Sequence, residues 1–432
     1  MTPKDQLITL LKKKGTGASM SKHLSKDELN QLQELFLNKS LSITTKATLL
    51  TAILMLEKTT EEDQWVQELM KNPLQLIPKE LLILLPSQSS SNPFIQIIKQ
   101  VIQKKDLSYD ACIEACQAIH DKSIPEFLKA AFLEAERLKR ETTTENQVFF
   151  DFYLQKSIQT SLNTPILIDI ANSYDGFNRT PSIMLFVAPC LAALGYPTIL
   201  HGCYEVSPKK GITHHKLLKK ANKNPLYTID QVKEELENPS IGWSYIDQKI
   251  YNPEMDQLNT LRTNMVKRPV LATIEKFLTP FYSSQKTCLI TGFTHPPYRQ
   301  KTIDILNNHP HATHNIIIRG SEGSAQLPID RRCPVISQDN TINEGYSSPN
   351  DFHIDTYNRL EPQPNITSEK IIKEALNAYH TQKGLYFDLI KYQCLHIITA
   401  LKLEPLKSVS TRLNQLFSNK KIIQHWNNAL KK

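Results

Sequence analysis

The sequence predicts an α/β protein: a small all-helical N-terminal domain, built from a duplicated helical block, packed on a larger α/β domain with a mainly parallel central sheet. Three observations predict it. Up to about residue 160, apolar residues recur at helical spacing, as in Leu29, Leu32, Leu35 and Phe36. Within that stretch one segment occurs twice. After about 164, short runs rich in Ile, Leu and Thr alternate with helical stretches, the pattern of parallel strands joined by crossover helices.

The repeat is gapless. Residues 24–62 align on 107–145 at an offset of 83, with twelve of 39 positions identical, among them Lys39/Lys122, Ser40/Ser123, Lys46/Lys129 and Thr59-Thr60/Thr142-Thr143. A match over three elements points to duplication rather than to two unrelated amphipathic segments. Each copy opens on Leu-Ser close ahead of an acid, a helix N-cap arrangement, and reads as three short helices, in the first copy 25–38, 43–57 and one from about 60. The resulting boundaries are 1–72 for the first helical block, 73–106 for a linker with short helices, 107–160 for the second block and 161–432 for the α/β domain. The stretch 253–278 is expected to pack with the helical domain. The second block directly precedes the α/β domain and is expected to be its integral partner, with the first an appended module. SQSSSN (87–92) is linker, and LLILL (81–85) is a packed turn too short to span a membrane.

In the second half, strands are expected at 165–171, 197–202, 242–247, 286–293 and 314–320. Helices are expected at 181–194, 213–221, 229–237, 253–278, 297–308, 368–380, 385–403 and 408–418, with polar loop at 337–366. Thr180 to Leu200 carries 21 residues without a charge. Pro181 suits a first helical turn and Gly195 a helix stop, so this is a buried helix followed by a buried strand rather than a membrane span.

The chain has 432 residues, 40% apolar and 22% charged, which excludes general disorder. A formal charge of +8 permits a polyanionic partner without demanding one. Seven scattered cysteines without a CxxC pair argue against structural zinc and for a reducing compartment. Cys112 and Cys116 share a helix face and read as packing residues. The N-terminus lacks a signal-peptide pattern, so the expected location is cytoplasmic.

In parallel sheets ligands sit beyond the carboxyl ends of strands. Asn172 to Thr180 leads from the first strand towards a helix, and backbone N–H groups there attract anions, with Arg179 and Thr180 adding donors. The second exit carries His201, Gly202, Lys209 and Lys210, and six lysines without an acid lie between Val206 and Ile229. His214 and His215 are adjacent and diverge, so they are not a metal pair. Arg262, Lys267 and Arg268 put three cations in seven residues, enough to neutralise a diphosphate or another anion. Arg319-Gly-Ser-Glu322-Gly-Ser is a turn in which Glu322 is the candidate metal contact. No GxSxG, HExxH, P-loop or GxGxxG occurs, and no catalytic nucleophile is indicated.

Taken in order, the segments SYDGFNRTPS, HG…PKKG, KRPVLAT, GFTHPP and RGSEGSAQLPIDR resemble the anthranilate phosphoribosyltransferases, and more closely their divergent paralogues, within the glycosyltransferase family 3 and nucleoside phosphorylase type of fold. The resemblance covers roughly 107–430. It implies a helical domain with an α/β domain, a homodimer through the helical part, and phosphoribosyl pyrophosphate with Mg2+ as donor and cofactor. On it, Ser173, Asp175, Gly176, Arg179, Thr180, His201, Gly202, Lys209 and Lys210 are the donor-side candidates, and Arg262, Lys267 and Arg268 the acceptor-side or anion-binding ones. The family's glycine turn GTGGD reads Asn172-Ser173-Tyr174-Asp175 here, where Tyr174 would intrude. Its metal-binding Asp-Glu pair falls on Ala325-Gln326. Two functions follow as expectations: a glycosyltransferase-type protein that binds a phosphorylated ribose donor, or a non-catalytic paralogue that holds nucleic acid on its lysine stretch and on the basic tail 405–432.

Overall fold

The computed structural model describes residues 1–17, 20–358, 360 and 366–431. The chain divides into two units, Met1–Phe152 with Gln257–Ile274, and Tyr153–Asp256 with Glu275–Lys432.

The first unit is helical throughout. Its helices are α1 (Pro3–Lys14), α2 (Lys26–Leu37), α3 (Ile43–Met55), α4 (Thr60–Lys71), α5 (Pro73–Leu76), α6 (Pro93–Ile102), α7 (Tyr109–His120), α8 (Glu126–Lys139) and α9 (Thr143–Gln155), the last running into the second unit. The offset of 83 carries α2 onto α7, α3 onto α8 and α4 onto α9. Ser25 and Ser108 cap α2 and α7, each accepting from the backbone N–H three residues on.

The bonds inside the copies repeat as well. Glu62 accepts from Leu24 N at 2.9 Å and Thr59 N at 3.1 Å, and Glu145 accepts from Leu107 N at 2.8 Å and Thr142 N at 2.7 Å. Lys46 Nζ donates to Asn38 O and Lys129 Nζ to Asp121 O, both at 2.7 Å. Two of the identical pairs, Glu62/Glu145 and Lys46/Lys129, therefore satisfy equivalent backbone groups at helix ends, where an unpaired polar group is costly. The first block, expected as an appended module, packs its α3 along α8 of the second block, the largest helix–helix contact of the unit. The stretch 253–278, expected as one helix, is broken into short helices, and the break after Met265 falls where Val266 takes a left-handed φ of 55° and Pro269 follows.

The second unit is built on seven strands of a mixed sheet and a separate parallel pair. The strands are β1 (Thr160–Leu162), β2 (Leu167–Ala171), β3 (Thr198–Gly202), β4 (Trp243–Asp247), β5 (Phe281–Ser283), β6 (Thr287–Gly292), β7 (Ala312–Ile318), β8 (Cys333–Gln338) and β9 (Ile342–Ser347). The sheet order is β4-β3-β2-β6-β7-β8-β9, parallel from β4 to β7 and antiparallel at β8 and β9, and β1 pairs with β5. Strand order reverses between β2 and β6, which makes the space beyond their carboxyl ends the switch-point crevice. The five expected strands are β2, β3, β4, β6 and β7. The β8–β9 hairpin, expected largely as loop, escaped notice because β9 is an almost wholly exposed edge with a polar sequence.

The uncharged stretch after Thr180 forms α10 (Met184–Ala193), with every residue from Met184 to Ala192 buried, and then β3. Among the described residues no helix is long and apolar enough to cross a membrane. Part of the basic tail forms a helix, Lys421–Leu430, whose Trp426 stacks on Trp243 of β4 with ring centroids 5.4 Å apart. All seven cysteines are unpaired and buried.

Candidate functional site at the strand exits

The loop leaving β2 is held by its backbone. Gly176 has φ +75°, and a Cβ there would stand 2.7 Å from the Gly211 carbonyl carbon, so only glycine fits. Phe177 N donates to Ile212 O at 3.0 Å, and Ile212 N returns to Phe177 O at 2.8 Å. This lacing joins the β2 exit to the lysine loop. On the other side, Ser173 Oγ donates to Gly323 O at 3.1 Å and Asn172 Oδ1 accepts from Ala325 N at 3.0 Å.

The loop then aims the N–H groups of Asn178, Arg179 and Thr180 at one point. A carboxylate occupies it. Glu322 Oε1 accepts from these three at 3.2, 2.8 and 3.0 Å and from Thr180 Oγ1 at 3.2 Å, while Lys209 Nζ lies 2.7 Å from Glu322 Oε2. Burial works against the charged carboxylate, but the Lys209 ammonium and the N–H donors outweigh it and hold the Glu322 carboxyl below its ordinary range. The anion-binding geometry expected of Arg179 and Thr180 is thus present, with a side chain of the same chain as its anion.

Tyr174 is fully buried. Its hydroxyl bonds to His201 Nδ1 and to Tyr251 Oη, and His201 Nε2 lies 3.0 Å from Asp169 Oδ1. Ser173, Gly176, His201 and Gly202 line the space around it, which amounts to about 10 Å³, roughly one water. His214, beside it, accepts from Asn172 Nδ2 at 3.0 Å, and burial pushes its pKa down to about 3, so it is neutral. Asp175 is buried with Lys209 Nζ 4.0 Å away.

The open space lies next door. A groove of about 550 Å³ is lined by Arg179, Thr180, Thr294, Arg319, Glu322, Gln326, Arg331 and Arg332 among others. These residues come from the carboxyl ends of β2, β6 and β7 and from the start of β8. Arg331 pairs with Asp330 at 2.9 Å, and Arg332 stands over the exposed Tyr346 ring, 4.1 Å from its centroid. Neither Arg179 nor Arg319 has an ion-pair partner among the described residues. Arg331 and Arg332 went unnoticed as site residues, since nothing in a single sequence shows that the start of an antiparallel strand returns to the exits of the parallel ones.

The other candidates fall elsewhere. Lys210 pairs with Glu205 at 3.3 Å, Lys216 with the same carboxylate at 2.8 Å and Lys220 with Glu369 at 2.6 Å. The lysine stretch is a laced surface rather than an unpaired stripe. Arg262, Lys267 and Arg268 lie in the helical unit, where Arg262 is buried, Lys267 Nζ donates to Leu11 O at 3.0 Å and Arg268 is exposed.

The residues at the exits do not fit a magnesium ion. Glu322 is spent on N–H donors. Gln326 is spent on the backbone ahead of α10, accepting from Ile183 N and donating to Pro181 O, both at 3.0 Å. Among the described residues no group of three or more His, Cys, Asp or Glu is placed to hold a metal.

No protein-family model matches the chain. Over 259 residues it is 27% identical to an uncharacterized protein of Aquifex aeolicus, a match covering 58% of this chain and 76% of that one. It is 23% identical over 292 residues to an anthranilate phosphoribosyltransferase of Cupriavidus metallidurans, covering 65% of this chain and 81% of that one. Its fold is that of the anthranilate phosphoribosyltransferase of Thermus thermophilus, at TM-score 0.64 and 16% identity over 78% of this chain and 98% of that one. The enzyme of Saccharomyces cerevisiae in complex with PRPP and Mg is similar at TM-score 0.63 and 13% identity, over 79% of this chain and 99% of that one. The chain is thus similar in sequence, at low identity, and in fold to the anthranilate phosphoribosyltransferases.

Proposed function

We propose that this chain is a phosphoribosyltransferase-like protein that takes a phosphorylated ribose compound in the arginine-lined groove and does so without a divalent metal. The observation that carries this is the convergence of Arg179, Arg319, Arg331 and Arg332 on one groove at the strand exits. Guanidinium groups match phosphate oxygens two at a time, and such charge-assisted bonds are the strong ones. The likeness to a solved relative in complex with PRPP and Mg supports the ligand class. The donor set argues against the metal.

Departure of a diphosphate needs its charge neutralised as it develops. Here Lys209 and the backbone N–H groups already neutralise Glu322, so a ligand phosphate reaches those donors only by displacing a carboxylate. Of the arginines beyond it, Arg179 and Arg319 have no carboxylate partner among the described residues, and they bind and orient the phosphate end of the ligand, while Arg331 is shared with Asp330.

Titration with ribose 5-phosphate tests this. The expected result is saturable binding, weakened about tenfold by Arg319→Ala, the equivalent of about 1.4 kcal/mol. Absence of binding at millimolar ligand would overturn it. A second reading, a nucleic-acid-binding paralogue, is favoured by one observation: Arg332, which lines the groove, and the 60%-exposed Tyr346 form a cation and aromatic pair on which a base of single-stranded nucleic acid can stack. Tighter binding of an oligonucleotide than of ribose 5-phosphate, with loss in Tyr346→Ala, would establish that reading instead.

A further inference from the structure

The helical unit contains two copies of one block, and their equivalent helices meet. Two homologous blocks that each carry a helix to be buried have one symmetrical way to bury it, an isologous-type pair in which the helix of one copy packs on its counterpart. The offset of 83 makes α3 and α8 counterparts, and α3 lies along α8. The neighbours follow the same rule: α1 packs on α3 and α2, and α6 packs on α8 and α7.

The burial is what such a pair requires. Eleven of the thirteen residues of α3 are buried, including Leu49, Leu50 and Ile53, so the helix has no face left for solvent. A helix buried all round needs cover all round. In a lone block the side of α3 now met by α8 would be bare. The two helices are also tied at their first turns. Thr44 Oγ1 donates to Glu126 Oε2 at 3.0 Å, Asn264 Nδ2 donates to the same oxygen at 3.0 Å, and Asn264 O accepts from Thr45 Oγ1 at 2.7 Å. One helix, Asn259–Met265, therefore clamps both copies.

The solved relatives are covered over 98–99% of their length by 78–79% of this chain. About a fifth of the chain is surplus to their fold, an amount close to one block with its linker.

We propose that the helical unit is a dimer interface folded into a single chain. The first block occupies the place that the block of a second molecule would take, the α3–α8 face is closed to self-association, and the protein is a monomer. The homodimer expected from resemblance is replaced by an internal pair.

Sedimentation equilibrium of the full-length protein, from micromolar to submillimolar concentration, is expected to return the mass of one chain, 49.4 kDa, throughout. Twice that mass would overturn the proposal. A second measurement uses the full chain with a protease site inserted in the exposed run 87–89. After cleavage the two fragments are expected to co-elute in gel filtration, one copy of each, at the mass of the intact chain. Release of the N-terminal fragment would show that it is an appendage and would equally overturn the proposal.

Discussion

At the exit of β2 three backbone N–H groups point at one spot, and Glu322 fills it with Lys209 as counter-ion. This pairing has a pH signature. A carboxyl held below its ordinary value of 4.5 in the folded state stabilises the fold above that pH, and the contribution is lost as pH falls through the depressed folded value. Urea denaturation is expected to show the wild-type midpoint dropping below about pH 4.5. Glu322→Gln keeps an acceptor for the N–H groups but offers Lys209 no charge. Its midpoint is expected to start lower at neutral pH and to fall less on acidification, and parallel curves for the two proteins would contradict the assignment. On the proposed function the same carboxylate is a rival to ligand phosphate. Glu322→Gln is therefore expected to bind inorganic phosphate more tightly than wild type, measured by calorimetry, and weaker binding would mean that Glu322 supports the site rather than competing for it.

At the scale of elements, the duplication makes a paired claim. Glu62 and Glu145 are buried, each bonded to a lysine and to two backbone N–H groups at equivalent positions. Removing one partner of a buried pair leaves the other uncompensated, at a cost of about 3–5 kcal/mol. Glu62→Ala and Glu145→Ala are expected to lower unfolding free energy by similar amounts in that range, read by chemical denaturation, and a large loss in only one would show that the copies are not energetically equivalent. The helices of both blocks were legible because their caps and apolar spacing are local, as Ser25 with Glu28 and Thr59 with Glu62 show. The five parallel strands were legible as short apolar runs. The β8–β9 hairpin was not, because an exposed edge strand carries no apolar alternation. Nor was the break after Met265, where Val266 takes a backbone conformation that a β-branched residue rarely adopts. For the site, Arg179, Thr180 and Glu322 were legible one by one. Their bond to each other spans more than 140 residues, a distance over which spacing in the sequence carries no geometry.

For the whole molecule, we propose that a transferase-like fold binds phosphate in its arginine-lined groove while the positions that the resemblance aligns with metal carboxylates are structural. Ala325 N and the Gln326 side chain now fasten loops together, and Tyr174 fills the space behind the β2 loop. A protein built this way should recognise the phosphate groups of a ribose compound through guanidinium groups alone. The most direct test is calorimetric titration of the full-length protein with phosphoribosyl pyrophosphate, once with Mg2+ and once with the metal chelated. Saturable binding of the same affinity is expected in both. Binding that appears only with Mg2+ would contradict it, because the exits would then hold a metal site that these residues do not make.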